Sequence, residues 1–381
     1  MNFKKLLIVL GIPFIFFLIS FFTLGDYGVN WDEPIHFIRG QAYFTYFLTG
    51  KTNYQKISLR PSYFQNTSLD AEYYLKQDSG HPPLNGIGAA FVNWIFYQKL
   101  NILGDIDSYH LFEVFVSFLI VLGVSLITYL EFGILPAVVA AFSLAAYPLF
   151  FSESHFNIKD PPVAALFGLT IITFYIGITK NKAKYIIASS VLAAFTLGTK
   201  FNAVFIAPIL GIWLLFYLAQ LTTKRGFKFI NRRNIKKALP LIVSLILFPF
   251  IAVAVLYALW PYLWPDPIKN IAVIIGYYRQ IGLGTPGELS GFLIRGWNTY
   301  PIVWIFYTTP VPILILSIVG FLSSLYLTIF RKNHFAFLVL VWFLVPIFRV
   351  SLPKTSLYGG VRQIMEFLPP MAILAGIVVY S

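Results

Sequence analysis

The sequence predicts an all-α integral membrane protein with about ten transmembrane helices and a long first extracytoplasmic loop that carries interfacial helix. Three observations predict it. Hydrophobic residues fill 58% of the 381 positions and charged residues only 11%, a balance far from that of a soluble domain of similar length. The apolar residues gather in runs close to the roughly 20 residues that a bilayer crossing needs. The basic residues concentrate on alternate connections between those runs.

In chain order the runs are 3–24, 110–130, 134–151, 161–179, 185–197, 201–221, 238–260, 302–330, 335–350 and 364–380. The fifth is short for a span and the eighth long. Lys4 and Lys5 precede the first run as they would in a signal peptide, but no small-residue cleavage site follows, so it reads as a retained span.

A cytoplasmic N-terminus assigns each connection a side. Lys4, Lys5, Lys180, Lys182, Lys184, Lys224, Arg225, Lys228, Arg232, Arg233, Lys236, Lys237, Arg331 and Lys332 then fall in the cytoplasm, against a single acid, Glu131. The opposite side holds as many basic residues as acids, so the whole net charge of +13 lies on the cytoplasmic side. The run 224–237 is therefore a topology determinant that meets anionic lipid headgroups, and no nucleic-acid partner is implied. Cysteine is absent, which excludes disulfides and thiolate metal sites.

Two extracytoplasmic stretches exceed simple connectors. Stretch 25–109 contains the apolar segment 82–97, too short for a span and suited to a helix lying in the interface. Stretch 261–300 is rich in Trp, Tyr, Gly and Pro, which suit the headgroup region. Residues 1–381 read as one polytopic membrane domain without an internal repeat or matched interrupted helices, which counts against a repeat-based transporter.

Five short segments could carry chemistry. In GDYGVNWDEPIHF, Asp26, Asp32 and Glu33 cluster at the outer end of the first run, where Trp31 and Phe37 could desolvate a carboxylate and tune it toward base work. By spacing alone, the same doublet fits a solvated loop. SGHPPLNG places His81 before two prolines; a lone histidine is more often structural. FNIKDPPVAAL sets Lys159 and Asp160 at a helix start, where an Asp can be an ordinary cap. In GTKFNAVFIAP, Lys200 lies near the outer boundary, where it is either functional or snorkelling. In LYGGVRQIMEFLPP, Arg362 could grip a phosphate or anchor at the interface.

Taken in order, WDEPIHF, HPPL, IKDPP, GTKFN and GVRQIMEFLPP resemble motifs of the protein O-mannosyltransferases and their bacterial relatives, members of the GT-C superfamily of membrane glycosyltransferases. The resemblance covers about 3–376 and implies a GT-C fold. It further implies a polyprenyl- or dolichyl-phosphate sugar donor and an inverting transfer of mannose or another sugar. The implied acceptor is a hydroxyl on protein Ser/Thr or on a cell-envelope glycan or lipid. By position, Asp32 corresponds to the general base and Glu33 to its partner, which orients acceptor or sugar. Lys200 and Arg362 would neutralise the donor phosphate, joined by His110, which stands where eukaryotic members carry an Arg. His81, Asp160, Lys159 and Asp78 would line the substrate site. Asp78 stands one step from the position, here Ser79, where those members have an acid.

The expected setting is a bacterial or archaeal plasma membrane, with the site extracytoplasmic. No cofactor is required; a divalent metal is possible, with Asp32, Glu33, Asp160 and His81 as its hard ligands. The chain ends in apolar residues at Ser381, as a truncated or minimal form would. The competing class is a transporter or lipid flippase, with Lys200, Asp160 and Arg362 along a translocation path, and a non-catalytic scaffold is the third.

Overall fold

The structure, a computed structural model, describes residues 3–54, 60–78, 80–225, 232–280, 292–294, 296–353, 355 and 359–380. Ser79 and part of each of the stretches 224–237 and 261–300 lie outside the described residues. The described residues are mostly helical, with one antiparallel pair of two-residue strands among them, β1 (Leu293–Ile294) and β2 (Trp297–Asn298).

The first helix, α1, spans Phe3–Phe22. Three helices follow outside the apolar runs: α2 (Glu33–Thr49), α3 (Ala71–Lys76) and α4 (Leu84–Asn93), the last continuing into a π-helical turn, Trp94–Lys99. Helix α4 occupies the segment expected to be interfacial. Helix α2 was not anticipated, and its composition explains why. Its buried face mixes Glu33, His36, Arg39 and Gln41 with Phe37, Ala42 and Tyr43, whereas Ile35, Phe47 and Leu48 are exposed, so no clean apolar stripe marks the helix.

Helices α5 (Asp105–Phe132), α6 (Ile134–Ala145), α7 (Pro148–Glu153), α8 (Asp160–Thr179) and α9 (Ala183–Leu197) continue the chain. After them come α10 (Ile206–Arg225), α11 (Arg232–Leu259), α12 (Pro267–Gln280), α13 (Tyr300–Thr308), α14 (Val311–Ile329), α15 (His334–Ser351) and α16 (Leu368–Ile377). Among the described residues, seven helices are long and apolar enough to cross a membrane. They answer seven of the ten expected runs.

The remaining three are shorter helices. The run 134–151 breaks at Tyr147, held extended before Pro148, and becomes α6 and α7. The run 185–197 is α9. The run 364–380 opens with a 3-10 turn, Arg362–Phe367, before α16. The long eighth run divides at Thr309 and Pro310 into α13 and α14.

Helices α8 and α16 occupy the middle of the bundle. Every residue of α16 is buried, and it passes between α6 and α14. A side-chain carbon at Gly320 would overlap the Leu374 backbone, and one at Gly376 would overlap the Pro136 carbonyl, so these crossings require glycine. Outside this bundle, α2 and α4 cross at Gly40 and Gly86 with equally close backbones. That crossing fixes the segment bearing Asp32 and Glu33 beside the turn bearing His81.

Candidate active site

Segments far apart in sequence close around one cavity of about 540 Å³. Asp32 enters it ahead of α2, His81 ahead of α4, and Lys159 and Asp160 at the start of α8. Lys200 precedes the 3-10 turn Phe201–Phe205, and Arg362 begins the turn before α16. Tyr277 and Tyr278 of α12, Phe205 of the Phe201–Phe205 turn and Arg349 of α15 complete the charged and aromatic lining.

Local structure explains how each group is presented. Asp32 stands at the N-cap of α2, yet its carboxylate makes no capping hydrogen bond and lies 3.7 Å from Arg362, 44% exposed to the cavity. Asp160 is not the cap of α8, a position held by Lys159; the Asn157 carboxamide oxygen instead accepts from the Lys159 and Asp160 amides. The Asp160 carboxylate is thereby left to receive Lys200 at 2.7 Å and the Asn157 side chain at 3.0 Å. Lys200 also donates to the Gln363 carbonyl at 3.3 Å, joining the start of the Phe201–Phe205 turn to the Arg362 turn. Positive φ at Gly359 and Gly360 lets the chain reverse just before Arg362.

The charges are unequal. Lys159, Lys200, Arg349 and Arg362 line the cavity against Asp32 and Asp160, so its described lining attracts an anion. Burial lowers the pKa of Lys159 to about 8, with Asp32 and Asp160 partly offsetting the effect. Burial, assisted by Lys159 and Arg39, pushes His81 down to about 3. His81 is therefore neutral and meets the Tyr277 hydroxyl at 2.5 Å.

Six of the expected site residues thus share this lining: Asp32, His81, Lys159, Asp160, Lys200 and Arg362. Glu33, His110 and Asp78 do not. Glu33 is fully buried, with Oε2 accepting from the Asn30 amide at 2.7 Å and lying 3.4 Å from His110 Nε2. His110 thus faces a carboxylate in the interior, placed on α5 behind the cavity wall. Asp78 accepts from Arg39 at 2.6 Å, Tyr43 at 2.9 Å and the Trp260 indole at 3.0 Å, which engages both of its oxygens. Asp26 is exposed and is not part of the lining. Trp31, expected to desolvate the acidic pair, is 94% exposed because it projects outward ahead of α2; Phe37 is buried as expected.

Sequence reasoning missed Arg349, Glu366, Tyr277 and Glu113. Arg349 pairs with buried Glu366 at 3.2 Å and lies over the Phe205 ring. Its signal was present: an arginine inside the apolar run 335–350 is costly unless partnered. Glu113 stands three residues after His110 and so on the same face of α5. The expected metal set of Asp32, Glu33, Asp160 and His81 does not converge, because Asp32 and Asp160 face Arg362 and Lys200 while Glu33 turns inward. Among the described residues, the group whose ligating atoms do converge is Glu33, His110 and Glu113.

No family model matches the sequence, and no curated protein matches it significantly. The fold has solved counterparts. ArnT from Cupriavidus metallidurans bound to undecaprenyl phosphate aligns at a TM-score of 0.61 and 15% identity over 99% of this chain and 60% of ArnT. AglB, the Archaeoglobus fulgidus oligosaccharyltransferase, in complex with an inhibitory peptide and a dolichol-phosphate, aligns at 0.55 and 17% identity over 99% of this chain and 50% of AglB. The same oligosaccharyltransferase in complex with Zn and sulfate gives 0.56 and 18% identity over 96% of this chain and 48% of its own. The chain thus spans less than two thirds of the length of each. It is an integral membrane protein with the GT-C fold shared by these enzymes.

Proposed function

We propose that the chain is an inverting glycosyltransferase that moves a sugar from a polyprenyl-phosphate donor to a hydroxyl acceptor on the extracytoplasmic side. What supports this most is the cavity itself. A half-exposed carboxylate, Asp32, shares it with Lys159, Lys200 and Arg362, which is the pairing that base-assisted attack and an anionic leaving group require.

In this scheme the acceptor oxygen attacks the anomeric carbon as Asp32 takes its proton. The bond from that carbon to the phosphate oxygen breaks, and the electron pair leaves with the lipid phosphate. Lys200 and Arg362 meet the charge that develops there. Arg362 lies 3.7 Å from Asp32 and would turn toward the phosphate when the donor binds. Neutral His81, held by Tyr277, is suited to hydrogen-bond the sugar. Glu33, His110 and Asp78 act from behind the wall, holding α2 and its preceding turn in place.

The fold counterparts agree with a lipid-phosphate donor, since ArnT is bound to undecaprenyl phosphate and AglB to a dolichol-phosphate. The acceptor is a protein Ser/Thr or a cell-envelope glycan or lipid, and the sugar is mannose or a related one. The test is release of polyprenyl phosphate by purified protein given a polyprenyl-phosphate sugar. Asp32→Asn should lower turnover by about 10²-fold or more; turnover retained in that variant removes Asp32 from the base role. Flux of the lipid-linked sugar through proteoliposomes without transfer would instead support a flippase.

A further inference from the structure

Glu33, His110 and Glu113 meet in the interior behind the cavity. Glu33 opens α2, and His110 and Glu113 share a face of α5. All three side chains are 0% exposed, and one ligating atom from each lies within 4.8 Å of the others. Glu33 Oε1, both Glu113 carboxylate oxygens and His110 Nδ1 are buried without a hydrogen bond. The polar groups around the Glu113 carboxylate are Glu33, His110 and the Asn157 backbone amide, with Glu153 beyond them. Two carboxylates so placed, out of water and with open oxygens, are strongly unfavourable as anions unless a cation or a shared proton joins them, and the imidazole beside them supplies the third donor that a cation takes.

We infer that Glu33, His110 and Glu113 hold a divalent transition-metal ion, zinc or manganese, that fastens the turn carrying Asp32 to α5. Two carboxylates and one imidazole form the borderline donor set these ions take, and the ion's charge matches that of the carboxylates. Magnesium and calcium favour all-oxygen shells, which a site with one imidazole among its three side chains does not supply. Small rotamer changes close the present spacing to the roughly 4 Å that two metal–ligand bonds of about 2 Å allow. The ion occupies a place distinct from the sugar cavity: its ligands Glu33, His110 and Glu113 are not among the lining residues.

The full chain, purified in detergent and stripped with a chelator, would be titrated with zinc and, separately, manganese. Bound metal is read by mass spectrometry and stability by thermal unfolding. The expected result is one ion per chain and a higher melting temperature with the ion, with affinity more than about tenfold weaker in Glu113→Gln and in His110→Gln. Asp160→Asn, in the cavity wall, should bind the ion as the wild type does. No retained metal in the wild type overturns the inference, as does equal binding in the Glu113 and His110 variants or loss in Asp160→Asn. A metal-free wild type that is stabilised by Glu113→Gln would point to a carboxyl pair sharing a proton. If the variants fail to accumulate, metal-edge absorption of the wild type decides: one imidazole with oxygen ligands supports the site, and several imidazoles overturn it.

Discussion

Asp32 and Glu33 share a peptide bond yet serve different compartments, one opening to the cavity and the other sealed against His110. At this scale the most direct prediction concerns Lys159. Its pKa near 8 lies below the ordinary lysine value of about 10.4, so between these values the unfolded chain binds the extra proton. Stability attributable to Lys159 therefore rises with pH across that window, while the cavity loses a positive charge. Donor KM should accordingly climb as pH passes about 8, and Lys159→Met should flatten the profile; a KM unchanged from pH 7 to 9.5 would exclude Lys159 from donor binding. His81 behaves in the opposite range. Its pKa of about 3 lies below the unfolded value near 6.5, so acidification through that interval protonates the unfolded chain first and removes stability. Arg349 supplies a third prediction. Arg349→Met leaves Glu366 buried and unpaired, at a cost of about 3–5 kcal/mol, and adding Glu366→Leu should restore most of it, as read from unfolding midpoints.

At the scale of elements, the crossing of α2 and α4 controls where Asp32 sits relative to His81. Gly40→Ala should push the helices apart, lowering both melting temperature and turnover, because the added carbon meets the Gly86 backbone. Gly11→Ala in α1 meets nothing and should leave both unchanged, which provides the control. The long apolar helices were legible because bilayer thickness imposes a length that composition reveals. Helix α2 was not, since it buries Arg39 against Asp78 and Gln41 against Asn93 and Tyr109, and partnerships of that kind leave no period in the sequence. The same distinction applies to the site. Residues in short, unusual motifs such as IKDPP and GTKFN were found and do line the cavity, whereas Arg349 and Glu113 sit in apolar runs and gain meaning only from partners distant in sequence.

For the molecule as a whole, the asymmetric charge predicts an orientation that the cysteine-free chain makes simple to test. Single cysteines at exposed Ser68 and Thr222 should react with an impermeant maleimide from opposite sides of the membrane, Ser68→Cys from outside and Thr222→Cys only after permeabilisation. Labelling of both from one side would invert or dissolve the topology and move the cavity with it. The central position of α16 has a bearing on biogenesis. A ribosome makes it after α6, α8 and α14, yet its buried residues fill the space between α6 and α14. Those earlier helices must therefore wait in the bilayer with their small-residue faces unmatched. Insertion of α16 then both fills the space between α6 and α14 and, through the turn just before it, delivers Arg362, so the cavity's charged lining is assembled only after those earlier helices are in place and not gradually along the way.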